Sequence, residues 1–477
     1  MLEHNQLRLP SGKLITFNQE QTDGLDKILE WLKTPARKER FFTLMGYAGT
    51  GKTTIIKKVL DSYKRGVAVS APTHKAKKVI MRTTGKDGQT LHGLLGLRPD
   101  VDLSDFNPNS PKFNPIAIPK ISDYNFVIID EASMINQELY NLIIEKTEFT
   151  NTKILFMGDP AQIPPVGEKE SIVFIQDNID KYELTKIERQ NDTNPLTFIY
   201  SDLRNNLNKI NGGFERKTNI IKVNGVEEGA IFTTDKRLFR KKIFEAYESE
   251  EFKLDIEYVK VIAWKNKTII AANQIIRKKL QGKDADIIEV GDIIMGYRSI
   301  TDESRMENII ENSADYRVVE KNDLSENSFG VKGYNIKLRE DLNKGEFKFI
   351  DVFIVNTRDR ENRELYAQMH DFFRDMGKMN KKDWKKYYNF RRHNLIMEKI
   401  DTYRDGSYRQ TFDVIVKDID YAYAITGHKS QGSTYDHVFV MENDINDNWV
   451  MKERNRIKYV SFTRPRYTAT ILTTNLD

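Results

Sequence analysis

Along most of this chain, short apolar runs alternate with stretches whose apolar residues recur every three or four positions. That alternation predicts strand and helix in turn. Thr16 to Leu32 carries Leu25, Ile28, Leu29 and Leu32 on one stripe and reads as a helix, and Phe41 to Gly46 (FFTLMG) follows as a buried strand. From Lys52 onward, Ile55, Ile56, Val59 and Leu60 restore helical spacing. Val67 to Thr73 predicts a second strand leading into a basic helix at HKAKKVI. The runs FVII after Asn125, KILFM before Gly158 and YEL from Tyr182 predict three more.

A polar, glycine-spaced segment from Asn206 to Lys236 closes this first α/β set. A second set begins with a helix around Arg237 to Tyr247, a strand at Tyr258 to Trp264 and a helix at Thr268 to Leu280, and it resumes near the end with strand, polar loop and strand. Between residues 297 and 417 the pattern changes to short alternating stretches such as YNIKL and FIDVFIVNT, which predict a small β barrel or open sheet.

Two stretches are ambiguous by pattern. Arg98 to Lys120 has five prolines and two Asn-Pro steps; it reads as a surface loop or a small excursion containing an extended hairpin, and composition favours the loop. Lys378 to Arg392 interleaves seven basic residues with Trp384, Tyr387, Tyr388 and Phe390. That suits phosphate attraction and base stacking, and it equally suits a helix with aromatics in a core and lysines in water.

Composition narrows the chemistry. At 477 residues the chain exceeds one hydrophobic core. Its 75 basic and 70 acidic residues leave a formal charge of +5, which permits a polyanion partner through local basic surfaces. With no cysteine, disulfides, thiolate metal sites and cysteine nucleophiles are excluded, and the seven histidines lack metal-ligand spacing. No apolar run approaches a membrane span and no secretory signal opens the sequence, so a cytoplasmic protein without membrane contact is expected.

The chemistry gathers at predicted strand ends. Gly46, Gly49, Thr50, Gly51, Lys52, Thr53 and Thr54 lie in G-x-x-x-x-G-K-T between a strand and a helix. Backbone N–H groups of such a turn cradle a triphosphate, Lys52 reaches the β and γ phosphates, and the Thr53 hydroxyl ligates Mg2+. A later strand ends in Asp130 and Glu131, one carboxylate for the Mg2+ shell and one for a proton from an attacking water. Gln162 follows the next strand within reach of γ phosphate and water, and Arg189 is a candidate for stabilising transferred phosphoryl charge. Arg464 stands directly after a strand in the second set.

The ordered series GYAGTGKTT, APTHKAKK, IIDEASM, GDPAQIPPVG, LTKIERQ, VIAWKNK, ITGHKSQGST and YVSFTR resembles the motifs of superfamily 1B DNA helicases, in the Dda and RecD-like branch, from about Phe17 to the end. The resemblance implies two RecA-like P-loop domains with parallel sheets, 1–97 with 122–215 and 216–296 with 418–477. It also implies a wedge insertion at 98–121 and an SH3-like insertion at 297–417. The implied activity is ATP-dependent, 5′-to-3′ unwinding of duplex DNA with Mg2+, by a monomer working on single strands and strand junctions in the cytoplasm, or a host's cytoplasm if phage-encoded. Replication, recombination and repair would use the same motor, alongside single-strand-binding or replication proteins.

Position by position, the resemblance would have Gln21 read adenine, Glu131 act as base, Gln162 sense the γ phosphate, and Arg189 and Arg464 serve as arginine fingers. Gly432 would approach nucleotide through its backbone. Pro72, Thr73, His74, Thr90, His92, Asn266, Thr426, His428 and Ser430 fall in motifs used on the single strand, and Phe113 would sit at the tip of the wedge. Replacing Phe113 with Ala is expected to leave DNA-stimulated ATP hydrolysis near normal while slowing strand separation. Equal loss in both assays would remove the wedge role.

Overall fold

The computed structural model describes residues 3–8, 14–63, 66–86, 88–99, 113–115, 118–187, 194–210, 212–302, 308–343, 345–404 and 411–476. The chain divides into two compact units. Met1–Asp100, Lys112–Thr234 and Gly427–Asp477 form the first, and Asp235–Thr426 makes up most of the second. The expected second α/β domain, 216–296 with 418–477, contributes residues to both.

The first unit is organised on six strands: β1 (Phe41–Gly46), β2 (Val67–Ala71), β3 (Gly88–Thr90), β4 (Phe126–Ile129), β5 (Lys153–Gly158) and β6 (Asp180–Leu184). They pair in the order β6-β1-β5-β4-β2-β3, and every pairing is parallel. Parallel strands need covering on both faces, and the side chains divide accordingly. Phe126 and Ile128 of β4 and Leu155 and Met157 of β5 join one core with Leu25, Ile28, Ile55 and Val59. Val127, Ile129, Ile154 and Phe156 join the opposite core with Leu139 and Ile143.

Three helices flank the strand ends used below. α1 (Gln19–Lys33) is opened by a capping box between Asn18 and Gln21, α2 is Lys52–Ser62, and α3 is His74–Thr84 with Thr73 as its N-cap. The proline-rich stretch leaves β3 through Leu97–Pro99, which pairs antiparallel with Phe113–Pro115. A hairpin base therefore stands where composition favoured a loop. Phe113 opens the returning strand opposite Pro99, and residues 100–112 lie outside the described residues. Elsewhere in this unit Val226–Thr233, Pro465–Leu472 and Tyr435–Met441 pair in parallel, with Asn219–Val223 antiparallel on Val226–Thr233.

In the second unit Val259–Ala263 pairs in parallel with Ala424–Thr426. An antiparallel sheet follows the order Ser325–Glu326, Lys332–Asn343, Asp315–Lys321, Ile293–Gly296, Ile419–Tyr421, and Glu346–Val355 completes a long hairpin with Lys332–Asn343. The strands expected between 297 and 417 are present, together with the helix Trp384–Arg392, one of the two readings open for that stretch, and a longer helix that the pattern did not predict, Arg360–Met379. The buried stripe of the longer helix is Asn362, Tyr366, His370, Arg374 and Gly377. Its spacing is helical, but most of its residues are polar, so a search for apolar periodicity passes over it. Tyr387 and Phe390 are buried, and Trp384 packs on Gly377, where a Cβ would lie 2.6 Å from the indole. For these aromatics the core reading holds, while Lys385 and Lys386 face solvent.

Asp418 anchors this second unit. Fully buried, it accepts from Arg391 Nη2 at 2.6 Å, from Arg298 Nε, and from the Ile396 N–H at 2.9 Å. Burial alone would push its carboxyl up, but Arg298, Arg391 and the Ile396 N–H more than offset this and hold it below the usual range. A carboxyl depressed on folding contributes stability that is present above its unfolded value near 3.8 and lost as pH falls through the lower folded value. Asp418→Asn strands two arginines beside a neutral amide and is expected to cost about 3–5 kcal/mol at pH 7. Denaturant midpoints measured at pH 7 and near pH 3 should show that deficit narrowing in acid; an equal deficit at both would refute the ionic account.

Candidate active site

β1 ends at Gly46 and α2 begins at Lys52, so five residues turn the chain at the carboxyl edge of the sheet. Gly49 (φ 87°) and Gly51 (φ 85°) take the left-handed backbone that this turn demands. No side chain caps α2, which leaves its first N–H groups for an anion at the helix N-terminus. Lys52 lies folded on its own loop, donating to Gly46 O at 2.5 Å and Tyr47 O at 3.0 Å. Thr50 is buried and its hydroxyl donates to Tyr47 O at 2.9 Å, so it braces the turn. Thr53 and Thr54 occupy the first turn of α2.

Gln21 is the loop's neighbour on the other side. Its Nε2 donates to Thr50 O at 3.0 Å and its Oε1 accepts from Asn18 N at 3.2 Å. A Cβ on Gly51 would lie 2.4 Å from that Nε2, so the glycine also makes room for the glutamine. The expected adenine-reading side chain is here a brace between the α1 N-terminus and the phosphate loop.

Asp130 and Glu131 follow β4, which is separated from β1 by β5 alone. Two strand spacings, about 10 Å, leave room for a metal and phosphate between the loop and these carboxyls. Glu131 adopts φ 52° and ψ 43°, a conformation uncommon outside glycine, and it donates its N–H to Asp130 Oδ1 at 2.8 Å. Burial pushes the Asp130 carboxyl up, Glu131 pushes it further, and the Glu131 N–H and Lys52 offset this only in part. Burial also raises Glu131, with Arg464, Lys52 and a hydrogen bond from Gln162 pulling back. Paired carboxyls held above their ordinary range are a donor set that a divalent cation would relieve. Gln162 is buried, and its Oε1 has no hydrogen-bond partner among the described residues.

Arg464 follows the helix Met451–Phe462, where a strand was expected, and precedes the strand Pro465–Leu472. It is buried and donates to Val460 O, Ser433 O and Thr463 Oγ1 at 2.9 to 3.1 Å, and its charge acts on both Glu131 and Asp159. Gly432, at φ +70°, sits against α3, where a Cβ would lie 2.8 Å from the Ala76 Cβ. Arg189 lies outside the described residues.

Two members of the cluster are absent from the residues singled out by sequence. Asp159 is buried just after β5, accepting from Tyr459 OH at 2.6 Å and from Ala161 N at 2.9 Å. The same Tyr459 hydroxyl accepts from the Ala48 N–H of the phosphate loop at 3.3 Å, which ties loop, Asp159 and the helix before Arg464 together. A signal for Asp159 was present: it ends KILFMGD as Asp130 ends FVIID.

The strand-facing candidates divide. Pro72, Thr73 and His74 follow β2, and Thr90 and His92 end or follow the adjacent β3. Thr73 and Thr90 cap their helices, accepting from Ala76 N and Gly93 N, each at 3.2 Å. Burial, aided by the nearby His74 charge, pushes His92 down to about 4, so it is neutral at pH 7. His428 is also lowered by burial, against the pull of Glu453. Ser430 is fully buried with its hydroxyl on Gly427 O at 2.7 Å, so in this arrangement it shapes its turn and presents nothing to a strand. Asn266 is exposed at the start of the helix Asn266–Gln281, and Thr426 ends the strand Ala424–Thr426, both in the second unit.

Comparison with known proteins bears on this geometry. A family described as an AAA domain matches residues 16–213, and one described as a UvrD-like helicase C-terminal domain matches residues 421–471. The chain is 27% identical over 496 residues to an uncharacterized protein of Acanthamoeba polyphaga mimivirus, covering 94% of this chain and 98% of that one. It is 30% identical over 273 residues to the ATP-dependent DNA helicase dda of Enterobacteria phage T4, covering 55% of this chain and 58% of the phage protein. A solved Pif1 helicase structure concerned with unwinding at forked duplex DNA superposes with a TM-score of 0.51 at 16% identity, covering 97% of this chain and 93% of the other. Its likeness shows the fold, α/β with two RecA-like domains. The two family segments are matched in order along one chain whose phosphate loop and carboxylates share one sheet edge, and the chain is similar to DNA helicases of the Dda and RecD kind.

Proposed function

We propose that the protein is an ATP-dependent DNA helicase that moves 5′ to 3′ on single strands and separates duplex DNA. The observation that carries the hydrolytic part is the convergence on Glu131 of Gln162, Arg464 and Lys52, with an unused acceptor on Gln162 beside it. In this reading the loop N–H groups and Lys52, once released from Gly46 O and Tyr47 O, hold the β and γ phosphates. Thr53 and Asp130 would hold Mg2+, which would supply positive charge against the charge developing in phosphoryl transfer. Gln162 orients the attacking water and Glu131 accepts its proton, while Arg464, with Arg189 in the same role, stabilises the transferred charge.

The domain boundaries expected from the sequence, the wedge role of 98–121 and the strand-binding roles of residues 72–74, 90, 92, 266, 426 and 428 belong to the same proposal. So do the monomeric state and the engagement of strand junctions. Polarity rests on the family resemblance. That the described residues contain no helix long and apolar enough to cross a membrane is compatible with a motor acting on DNA.

Strand separation with ATP and Mg2+ on matched duplexes, one with a 5′ and one with a 3′ overhang, tests the reading. Unwinding from the 5′ overhang alone is expected; hydrolysis stimulated by single strands with neither duplex opened would leave a translocase instead. Lys52→Ala should abolish hydrolysis while single-strand affinity, followed by fluorescence anisotropy, stays within about twofold, because separate loops grip the strand. Parallel loss of binding in a folded variant would show that the two sites are not separate.

A further inference from the structure

Beside the phosphate loop, the first unit holds a cavity of about 430 Å3 that the proposed chemistry does not use. Its walls come from Tyr47 of the loop, Pro160 next to Asp159, the end of the helix Leu196–Asn205 with the residues after it, and the helix Met451–Phe462. Arg204, Lys209, Lys452 and Arg456 line it, against the single carboxylate of Glu170. Glu170 Oε1 lies 3.0 Å from Lys452 and 3.7 Å from Arg456, so one anion serves two of the cations.

The arginines are held but incompletely satisfied. Arg456, 4% exposed, donates to Lys169 O at 2.6 Å and Pro160 O at 3.3 Å, and its Nε has no hydrogen-bond partner among the described residues. The Arg204 guanidinium lies 3.9 Å from the centre of the Tyr47 ring, and its Nη1 likewise has no partner there. Buried donors without acceptors are costly, and the excess of positive charge selects an anion to share the cavity. Guanidinium forks suit the oxygens of a phosphate.

The cavity shares a wall with the hydrolytic site. Tyr47 lines it while its carbonyl accepts Lys52 Nζ. Arg456 precedes by three residues Tyr459, whose hydroxyl bridges the Ala48 N–H and Asp159. We propose that this cavity receives the inorganic phosphate cleaved from the nucleotide and holds it before release, an inference that rests on the hydrolytic reading above. In the cleavage step the water oxygen bonds to the γ phosphorus, the bond to the β-bridging oxygen breaks, and the water proton passes to Glu131. ADP and inorganic phosphate result, and the cavity acts on the second product only.

The test uses the full chain, Arg204→Ala, and the double variant Lys209→Ala with Lys452→Ala, which leaves the loop's ring contact intact. Quench-flow would follow cleavage, a fluorescent phosphate sensor would follow release, and added inorganic phosphate would be titrated as an inhibitor. Cleavage and single-strand affinity should be unchanged, release altered, and the inhibition constant for phosphate raised about fivefold in both variants. An unchanged phosphate response in both overturns the proposal. Weakened strand affinity with an intact phosphate response also overturns it and assigns the cations to a backbone phosphate of DNA. Broadening of the phosphorus NMR line of inorganic phosphate in the presence of ADP, lost in the double variant, reports the site without turnover. It thereby separates failure of this site from failure of the hydrolytic reading.

Discussion

Six parallel strands with all their carboxyl ends on one edge are the constraint on which the site depends. With the order β6-β1-β5-β4-β2-β3, the phosphate loop after β1, Asp159 after β5 and the Asp130–Glu131 pair after β4 must emerge side by side. Residues spread over more than eighty positions become neighbours without any loop having to travel far. Open α/β sheets bind ligands at this edge because it is where helix N-termini and strand-end side chains converge. Both apolar cores exist to hold that register: a one-residue slip in β4 would exchange Phe126 and Ile128 with Val127 and Ile129 between the two faces.

The electrostatics follow from the burial this arrangement imposes. Asp130, Glu131 and Asp159 are each raised by burial, and Lys52 acts on all three. Arg464 joins Lys52 at Glu131 and Asp159. Positive charge is therefore near but does not fully compensate the carboxyls, and Lys52 itself is occupied by carbonyls of its own loop. A cation and a polyphosphate bring the complementary charges. The same physics acts in reverse in the second unit, where Arg298 and Arg391 more than compensate Asp418 and hold its carboxyl low. One buried carboxylate cluster is left short of charge and the other is saturated, which distinguishes a site that takes ligands from one that holds a fold together.

Much was written in local pattern. The loop from Gly46 to Thr54, the strand ends at Asp130 and Glu131, and the alternation of apolar runs with amphipathic stretches could be read because each depends on neighbours in sequence: a turn requires glycines, a parallel strand an apolar run, a helix a stripe. What escaped had no such local signature. The helix Arg360–Met379 buries Asn362, His370 and Arg374, residues whose burial is affordable only because partners such as Lys332 O and Tyr387 OH come from elsewhere. Gln21 and Ser430 could be named from motifs, but their hydrogen bonds, to Thr50 O and Gly427 O, are set by how the segments fold.

The sequence by itself determined the α/β class, the phosphate loop and the resemblance to superfamily 1B helicases. Only the tertiary structure decided that Tyr459, more than four hundred residues after Ala48, would bond the loop's N–H and Asp159 at once, and that four cations from separate segments would line one cavity. The reason is range: backbone turns and periodicities are fixed by residues a few positions apart, whereas burial of a charge or a hydroxyl depends on which distant strands and helices close around it.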